Sequence, residues 1–230
     1  MSKVILSKKT LDVLKNFSTI NSSIVFRKGS TVRTISNAEN ILAKFTGEEV
    51  FPNDFAIYDL SQFLSGISLF SDPQLEFDNE DFVSIRGGRQ SARYYFSDPE
   101  ITLKSAPEKN VKFPGADIQF NLSGEELIQL QKASAVYSLP DLTFHTEADN
   151  TVRLILSDRE NDTSNTYDLT VAGCSTDSYA LDVKIDNIRL LPGDYSVKVS
   201  KHLISEWTNT NLDLTYYIAL EPRWNTFSSL

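Results

Sequence analysis

Apolar and polar residues alternate along most of the chain, and this alternation predicts short β-strands. The alternating runs are, in chain order, SSIVFRKGSTVRTIS (22–36), PQLEFDNEDFVSIRGGRQSARYYF (73–96), DLTFHTEADNTVRLIL (141–156), DYSVKVS (194–200) and LDLTYYIAL (212–220). Turn residues interrupt the longer runs at Lys28-Gly29, Asp78-Asn79, Gly87-Gly88 and Asp149-Asn150. Because such residues between alternating runs are typical of hairpins, we expect neighbouring runs to pair as antiparallel strands.

Four segments instead space their apolar residues as helices do: 7–17, 59–70, 123–134 and 184–193. Ser7, Asp59 and Ser123 stand where an N-cap is expected, and Ser123 with Glu126 forms a capping-box pattern. Pro192-Gly193 ends the fourth segment. The residues expected to face the core are Leu11, Leu14 and Phe17 in the first helix, Leu60, Phe63, Leu64 and Ile67 in the second, and Leu127 and Leu130 in the third.

The predicted helices and strands follow one another in the same order in both halves of the chain. LSKKTLDVLK (6–15) begins one half and LSGEELIQLQK (122–132) begins the other, with the two N-cap serines 123 − 7 = 116 residues apart. One such repeat indicates two similar domains rather than a solenoid. We predict an α+β fold with domains at 1–104 and 118–230, each with two helices on one face of an antiparallel sheet, and a Pro-containing linker at 105–117.

The chain is acidic, because 22 Lys and Arg face 31 Asp and Glu over 230 residues, a net charge of −9. This balance argues against a protein that coats nucleic acid with its whole surface, but a local basic face remains compatible with it. No apolar run approaches the roughly 18 residues of a membrane span, and we expect no signal peptide. Cys174 is the single cysteine, which fits a reducing compartment, and we expect it to be buried.

Residues for catalysis or metal binding do not cluster in the sequence. His145 and His202 lie far apart, and with one cysteine they provide no zinc spacing. No glycine-rich phosphate loop and no nucleophile elbow occurs. The acidic run DNED (78–81) is expected to be a solvated turn rather than a cation site. The sequence therefore predicts no metal, no cofactor and no enzymatic activity.

Basic residues lie on the polar faces of three predicted helices. At about 100° per residue, Lys8 and Lys15 project away from the apolar residues of the first helix, and Lys9 lies at the margin of its polar face. Lys132 lies on the polar side of the third helix, and Arg189 lies in the fourth. The residues alone leave two interpretations open: an ordinary solvated face, or a surface that attracts phosphates.

Several blocks resemble the DNA polymerase sliding clamp of T4-type bacteriophages. They are LKNFSTINSSIVFRKG (14–29), FAIYDLSQFLSGISLFSD (55–72), LPGDYSVKV (191–199) and YYIALEP (216–222), which lie in both halves and in the family's order. The resemblance implies the DNA-clamp fold and a homotrimeric ring that encircles duplex DNA without reading its sequence. It also implies that helices line the hole and that no cofactor is needed.

The resemblance also implies the partners and the residues that meet them. The expected partners are duplex DNA, a C-terminal peptide of the replicative DNA polymerase, an ATP-driven clamp loader and late-transcription factors, in the host cell cytoplasm and without a membrane. The residues implied for the DNA-facing surface are Lys8, Lys9, Lys15, Lys132 and Arg189. Those for an apolar peptide pocket are Val111, Phe113, Pro114, Pro192, Tyr217, Ile218, Leu220 and Pro222.

A head-to-tail ring contact is expected between two strand edges. The segments are SARYYF (91–96) of one subunit and NTYDLTVAG (165–173) of the next, with Tyr94, Tyr95, Phe96, Tyr167, Leu169 and Val171 at the contact. The alternative of a different class is an acidic, β-rich virion or structural oligomer without clamp activity. An enzyme is the least supported class, because no catalytic set of residues is present.

Overall fold

The computed structural model describes residues 2–98, 104–146 and 151–228. The chain divides into two compact units, Met1–Lys109 and Asn110–Leu230, called the first and second unit below. No helix in the described ranges is long and apolar enough to cross a membrane. The turn predicted near Asp149-Asn150 lies outside the described residues.

The first unit combines two helices with short antiparallel strands. Its elements are β1 (Lys3–Val4), α1 (Lys8–Ile20), β2 (Ile24–Phe26), β3 (Gly29–Ile35), β4 (Ile41–Phe51), β5 (Phe55–Ile57), α2 (Leu60–Ile67), β6 (Gln74–Glu76), β7 (Phe82–Gly87) and β8 (Gln90–Tyr95). Strands β1, β6, β7 and β8 form one sheet in that order, β3 pairs with β4, and β2 pairs with β5. The hairpin expected between the strands on either side of Lys28-Gly29 is therefore wrong, because β2 and β3 each pair with a later strand.

The predicted caps of the two helices are confirmed. Ser7 Oγ accepts a hydrogen bond from the Thr10 backbone N–H at 3.2 Å, and Asp59 Oδ1 accepts one from that of Gln62 at 2.8 Å. The four predicted apolar residues of α2 are all buried. In α1 the buried face consists of Thr10, Val13, Leu14, Phe17 and Ile20. The prediction for Leu11 is corrected, because that side chain lies at the edge of this face and is only half-buried.

An aromatic cluster forms part of the core around β2 and β5. The rings of Phe26 and Phe55 stack with centroids 4.5 Å apart, and Phe51, Phe77 and Phe96 surround Phe55 within 5.7 Å. Buried aromatic side chains of this size dominate the stability of a small core. Phe96 therefore belongs to the core of the first unit, although it directly follows the exposed strand β8.

The second unit repeats this order with a larger sheet. Its elements are β9 (Ile118–Leu122), α3 (Gly124–Tyr137), β10 (Asp141–Thr146), β11 (Thr151–Ser157), β12 (Tyr167–Ser175), β13 (Ser178–Lys184), a 3₁₀ turn (Ile185–Asn187), β14 (Tyr195–Ser200), β15 (Ile204–Asn209), β16 (Leu214–Ala219) and β17 (Glu221–Ser228). The strand order within this unit is β17, β13, β10, β11, β12, β9, β14, β15, β16. The predicted capping box of α3 is confirmed, and Leu127 and Leu130 are buried as expected.

The helix predicted over 184–193 is wrong, because only Ile185–Asn187 form a single 3₁₀ turn. Two buried tyrosines hold the backbone that follows. Tyr195 Oη donates to the Leu191 carbonyl at 2.5 Å, and the Leu191 N–H donates to Tyr216 Oη at 3.1 Å. Pro192 also disfavours a helix here, because the residue before a proline, Leu191, is disfavoured in the helical region. The N–H and carbonyl of Leu191 are therefore bonded to side chains instead of to helical backbone partners.

Candidate nucleic-acid and protein interfaces

The exposed face of α1 carries the predicted lysines. Lys8, Lys9 and Lys15 are exposed, and Lys8 and Lys15 lie two turns apart on the side opposite the buried face, about 10.5 Å along the axis. Lys9 lies 3.9 Å from Glu48, and Lys15 lies 3.9 Å from Asp12. Exposed ion pairs of this length contribute little energy, so the ammonium groups can exchange these partners for other anions.

A carboxylate from β4 anchors the start of α1. Glu49 Oε1 accepts a hydrogen bond from the Ser7 N–H at 2.5 Å, and Glu49 Oε2 accepts one from Thr10 Oγ1 at 2.6 Å. Partial burial raises the pKa of Glu49, but the hydrogen bonds from Thr10 and Ser7 outweigh that effect and leave the pKa below its ordinary value. The negative charge therefore stays next to the positive end of the helix dipole.

The basic residues predicted for the second unit stand in less basic surroundings. Lys132 is exposed in the middle of α3, between the exposed apolar side chains of Ile128 and Val136, one helical turn away on each side. Arg189 is exposed beyond the 3₁₀ turn, and its Nε donates to the Asp186 carbonyl at 2.9 Å. Neither Lys132 nor Arg189 has another Lys or Arg within three residues of it in the sequence.

The structure separates the residues of the predicted peptide pocket. Val111, Phe113 and Tyr217 are half-buried, and Pro114 and Pro222 are exposed. The predictions for Ile218 and Leu220 are corrected, because both side chains are buried in the core and their surfaces cannot meet a peptide.

Pro192 is also corrected, because it lies at the other end of the sheet from the linker. The linker enters the second unit at Asp117. The Asp117 carboxylate accepts hydrogen bonds from Ser200 Oγ and the Lys201 N–H, at the C-terminal end of β14. Pro192 precedes Tyr195, the first residue of that strand. Six strand residues span roughly 17–20 Å, so Pro192 and the linker do not share one pocket.

Tyr217 belongs to a polar row across three strands. It is directly opposite Glu206, which is opposite Lys198, and the Lys198 ammonium lies 3.0 Å from the Glu206 carboxylate. Partial burial, and next the neighbouring carboxylate of Glu206, raise the pKa of Tyr217 to about 12. The Tyr217 phenol is therefore neutral at physiological pH and is hydrogen-bonded to Glu206.

Strand β8 ends its sheet with an exposed edge. Within the described chain β8 pairs only with β7, and Gln90, Ser91, Ala92 and Arg93 are exposed. Tyr94 is half-buried, since its Oη donates to the Asp59 carbonyl at 3.1 Å and its ring packs on Phe63. Tyr95 is 62% exposed. The prediction for Phe96 at the subunit contact is corrected, because its ring packs in the aromatic core.

Strand β12 has a second, partly open edge. Residues Thr151–Leu156 of β11 pair with all of Tyr167–Ala172, whereas β9 pairs only with Gly173–Ser175 on the opposite side. Tyr167 and Leu169 are half-buried and Val171 is buried. Cys174 is exposed at the far end of this strand, so the prediction that it is buried is wrong. In the described part of the chain, the edge of Tyr167–Ala172 is left without a strand partner.

Two ion pairs hold the chain at the predicted domain-linker boundary, one from Lys104 just before the linker and one from Glu108 within it, which the sequence did not indicate. Lys104 Nζ lies 2.6 Å from Glu39 Oε1 and donates to the Asn37 carbonyl at 2.9 Å. Glu108 Oε1 lies 3.1 Å from Arg27 Nε. A small surface pocket forms beneath this segment, lined by Val25, Arg27, Thr31, Arg33, Ser105, Ala106 and Glu108. The only sequence signal was the mixed charge of the segment, because the partners lie far away in the chain.

Among the residues that the structure describes, no three His, Cys, Asp or Glu side chains come together as metal ligands. The surfaces described above are made of helix faces and strand edges. They offer charge, apolar area and backbone hydrogen-bonding groups, which serve association with macromolecules.

Comparison with known proteins identifies the family. A family model described as DNA polymerase processivity factor matches residues 6–97. The sliding clamp of Vibrio phage KVP40 is 34% identical over 222 residues, which cover 94% of this chain and 98% of the relative. The sliding clamp of Enterobacteria phage T4 is 28% identical over 197 residues, covering 84% of this chain and 85% of the relative. These matches favour a clamp over the alternative of a virion protein.

Solved structures confirm the fold class. Proliferating cell nuclear antigen (PCNA) of A. fulgidus, solved with the C-terminal region of FEN-1, aligns with a TM-score of 0.72 at 12% identity, covering 96% of this chain and 98% of that one. PCNA of Thermococcus kodakaraensis aligns with a TM-score of 0.72 at 12% identity over 95% of this chain and 99% of that one. At this identity the likeness establishes the DNA-clamp fold alone. The chain belongs to the sliding-clamp family of DNA polymerase processivity factors, which are non-enzymatic proteins of DNA replication.

Proposed function

We propose that the protein forms a homotrimeric ring around duplex DNA and tethers the replicative DNA polymerase for processive synthesis. Each unit then acts as one clamp domain, so that three chains supply six domains. The observation that carries this proposal is the pair of open strand edges, β8 in the first unit and Tyr167–Ala172 of β12 in the second. Two different edges on one chain favour a head-to-tail contact, which repeats until the ring closes.

In this contact, β8 of one subunit would pair with Tyr167–Ala172 of β12 in the next subunit and so join their two sheets. Backbone N–H and C=O groups on an open edge pair with another strand whenever one is available. The exposed ring of Tyr95 and the half-buried Tyr94, Tyr167 and Leu169 would add apolar area around these hydrogen bonds. Val171 is buried within its own unit and would support the strand from below.

Sedimentation equilibrium tests the proposed assembly. We expect a species of three times 25.9 kDa that dissociates reversibly on dilution, because a clamp must open to admit DNA. A monomer at all micromolar concentrations, or a dimer, would overturn the head-to-tail ring. The measurement needs no DNA and no partner protein.

The helices are proposed to face the DNA. The proposed DNA-facing residues are Lys8, Lys9, Lys15, Lys132 and Arg189, all of them exposed. A topological link allows weak, sequence-independent contacts with phosphates, and these contacts permit sliding. Lysine suits such contacts because its ammonium is a mobile point charge on a flexible stem.

The polymerase is proposed to dock by its C-terminal peptide near the linker. The accessible residues that remain for this site are Val111, Phe113, Pro114, Tyr217 and Pro222. We expect Phe113→Ala to weaken binding of the polymerase peptide about tenfold, because a half-buried aromatic ring is a typical anchor of such a contact. Fluorescence anisotropy of a labelled peptide measures the affinity, and Phe113→Leu serves as the size-matched control. Equal affinities of Phe113→Ala and the parent would remove this residue from the site.

Further partners follow from the family. We propose that an ATP-driven clamp loader opens the ring and that the protein acts in the host cell cytoplasm, in a replication complex. Late-transcription factors are proposed as competing partners for the same docking surface. Loading on primed circular DNA that needs both the loader and ATP hydrolysis would support the first of these proposals.

A further inference from the structure

The equivalent helices α1 and α3 carry different charges at the positions where α1 has lysines. With the two N-cap serines aligned, Lys8-Lys9 of α1 correspond to Gly124-Glu125 of α3. Lys15 corresponds to Gln131 at the same offset. The first turn of one helix is therefore basic and that of the other is acidic, although both begin with the same cap.

The basic first turn of α1 opposes the preference of a helix. Cations near a helix N-terminus are unfavourable because they face the positive end of the helix dipole, and α1 has no acidic residue in its first turn. The Glu49 carboxylate offsets this by accepting bonds from Ser7 N and Thr10 Oγ1. A local choice that disfavours the helix and is compensated from another strand is typical of a functional position. In α3, by contrast, Glu125 and Glu126 follow the ordinary rule.

The outward faces of the two helices differ in net charge. On α1 the polar face contains Lys8, Lys9, Lys15 and Asp12, which gives 3 − 1 = +2. On α3 the outward face contains Glu125 and Lys132, which gives 1 − 1 = 0.

Apolar side chains fill much of the outward face of α3. Ile128 is 41% exposed and Val136 is 74% exposed, four residues before and after Lys132. Such a row interrupts the aqueous, positively charged surface that phosphates favour. Helix α2 adds no charge, since the residues within Leu60–Ile67 are uncharged.

We propose that, of the helices, α1 alone tracks the DNA phosphates, and that α3 faces the DNA without contacting them. This inference rests on the proposed function, because it assumes that both helices line the hole. In the closed ring each chain then supplies one basic helix face, with Lys8 and Lys15, and one helix face without net charge. Lys132, although exposed, lies on the second of these faces.

Lysine acetylation of the loaded clamp, read by mass spectrometry, tests this directly. We expect Lys8 and Lys15 to lose reactivity several-fold when the clamp is loaded on circular DNA, relative to the free ring, and Lys132 to change less than about twofold. Equal protection of Lys132, or unprotected Lys8 and Lys15, would overturn the inference while leaving the clamp function intact. Failure to retain any protein on the circle would overturn the proposed function itself.

A pair of charge reversals provides an independent readout. K8E/K15E should reduce loading several-fold, whereas K132E should reduce it by a clearly smaller factor. Adding E125K to K8E/K15E should restore part of the loss, because it replaces a negative charge by a positive one on the face of α3, at the position equivalent to Lys9. Sedimentation equilibrium of each variant controls for an intact ring. A loss in K132E as large as that in K8E/K15E would contradict the restriction to α1.

Discussion

At the scale of residues, one carboxylate explains how α1 tolerates two lysines at its start. Glu49 lies on β4, 42 residues from Ser7 in sequence, yet its carboxylate accepts the Ser7 N–H and Thr10 Oγ1–H bonds. Backbone N–H groups at the start of a helix have no intrahelical partner. Without Glu49, the Ser7 N–H and the Thr10 hydroxyl would need water as a partner. A contact between distant residues therefore supports a local sequence choice that would disfavour the helix on its own.

We expect Glu49→Gln to lower the free energy of unfolding by about 1 kcal/mol at neutral pH, because a hydrogen bond to a charged group becomes a neutral one. The pKa of Glu49 in the folded protein lies below its ordinary value of 4.5, so this stabilisation is present above that pH and is lost as the pH falls through the lowered pKa. Urea unfolding at several pH values measures the difference. It should shrink on acidification, and a difference that stays constant with pH would refute the role of the charge.

At the scale of elements, the hairpin of β7 and β8 determines which backbone groups point outward. The strands close on the Gly87 and Gln90 pair with two residues between them, and hydrogen-bonded pairs alternate from there. Ser91, Arg93 and Tyr95 therefore direct their N–H and C=O groups towards the open edge. These are the groups that a neighbouring subunit would pair with.

Replacing Arg93 by proline tests the proposed strand contact. Arg93→Pro removes one outward N–H without removing a bond to β7, and proline is tolerated at such edge positions. We expect the trimer to dissociate more readily, by roughly fivefold per interface for about 1 kcal/mol of lost hydrogen bonding. Arg93→Ala is the matched control, since it removes the same side chain and keeps the N–H. Identical dissociation of the two variants by sedimentation would argue against backbone pairing at β8.

Local chemistry explains which elements the sequence could predict. The caps at Ser7, Asp59 and Ser123 were predictable because an N-cap side chain and the backbone N–H that it accepts from lie within three residues. The pairing of β2 with β5 was not, because it joins strands about 30 residues apart with the β3–β4 hairpin between them, and β-strand pairing carries no local signal. The segment that forms the 3₁₀ turn at Ile185–Asn187 was predicted as a longer helix, because its apolar spacing does not reveal that Leu191 bonds to the side chains of Tyr195 and Tyr216.

For the candidate surfaces, too, local periodicity predicted some features of the residues, whereas others depended on tertiary packing. The exposure of the α1 lysines followed from helical periodicity alone. The burial of Ile218 and Leu220, and the inward orientation of Phe96, depended on how strands stack against the rest of their unit. Position along an alternating strand tells which residues share a face, but not which face meets solvent.

At the scale of the whole molecule, two similar units differ in what their helices present. Helix α1 has a net charge of +2 and the rest of the chain −11, which together give −9, so an acidic chain still offers one basic helix in the first unit. A protein held by topology needs only weak attraction to DNA, and strong contacts would slow its sliding. This explains why a clamp can combine an acidic composition with a DNA-directed function.

Retention on circular compared with linear DNA tests the encircling ring most directly. The clamp is loaded on a nicked circle, passed over a sizing column in moderate salt, and the DNA is then cut once with a restriction enzyme. We expect the protein to stay with the circle and to be lost after cutting, because only the topological link holds it. Protein that remains on the linear DNA, or that never remains on the circle, would show that the chain does not encircle DNA.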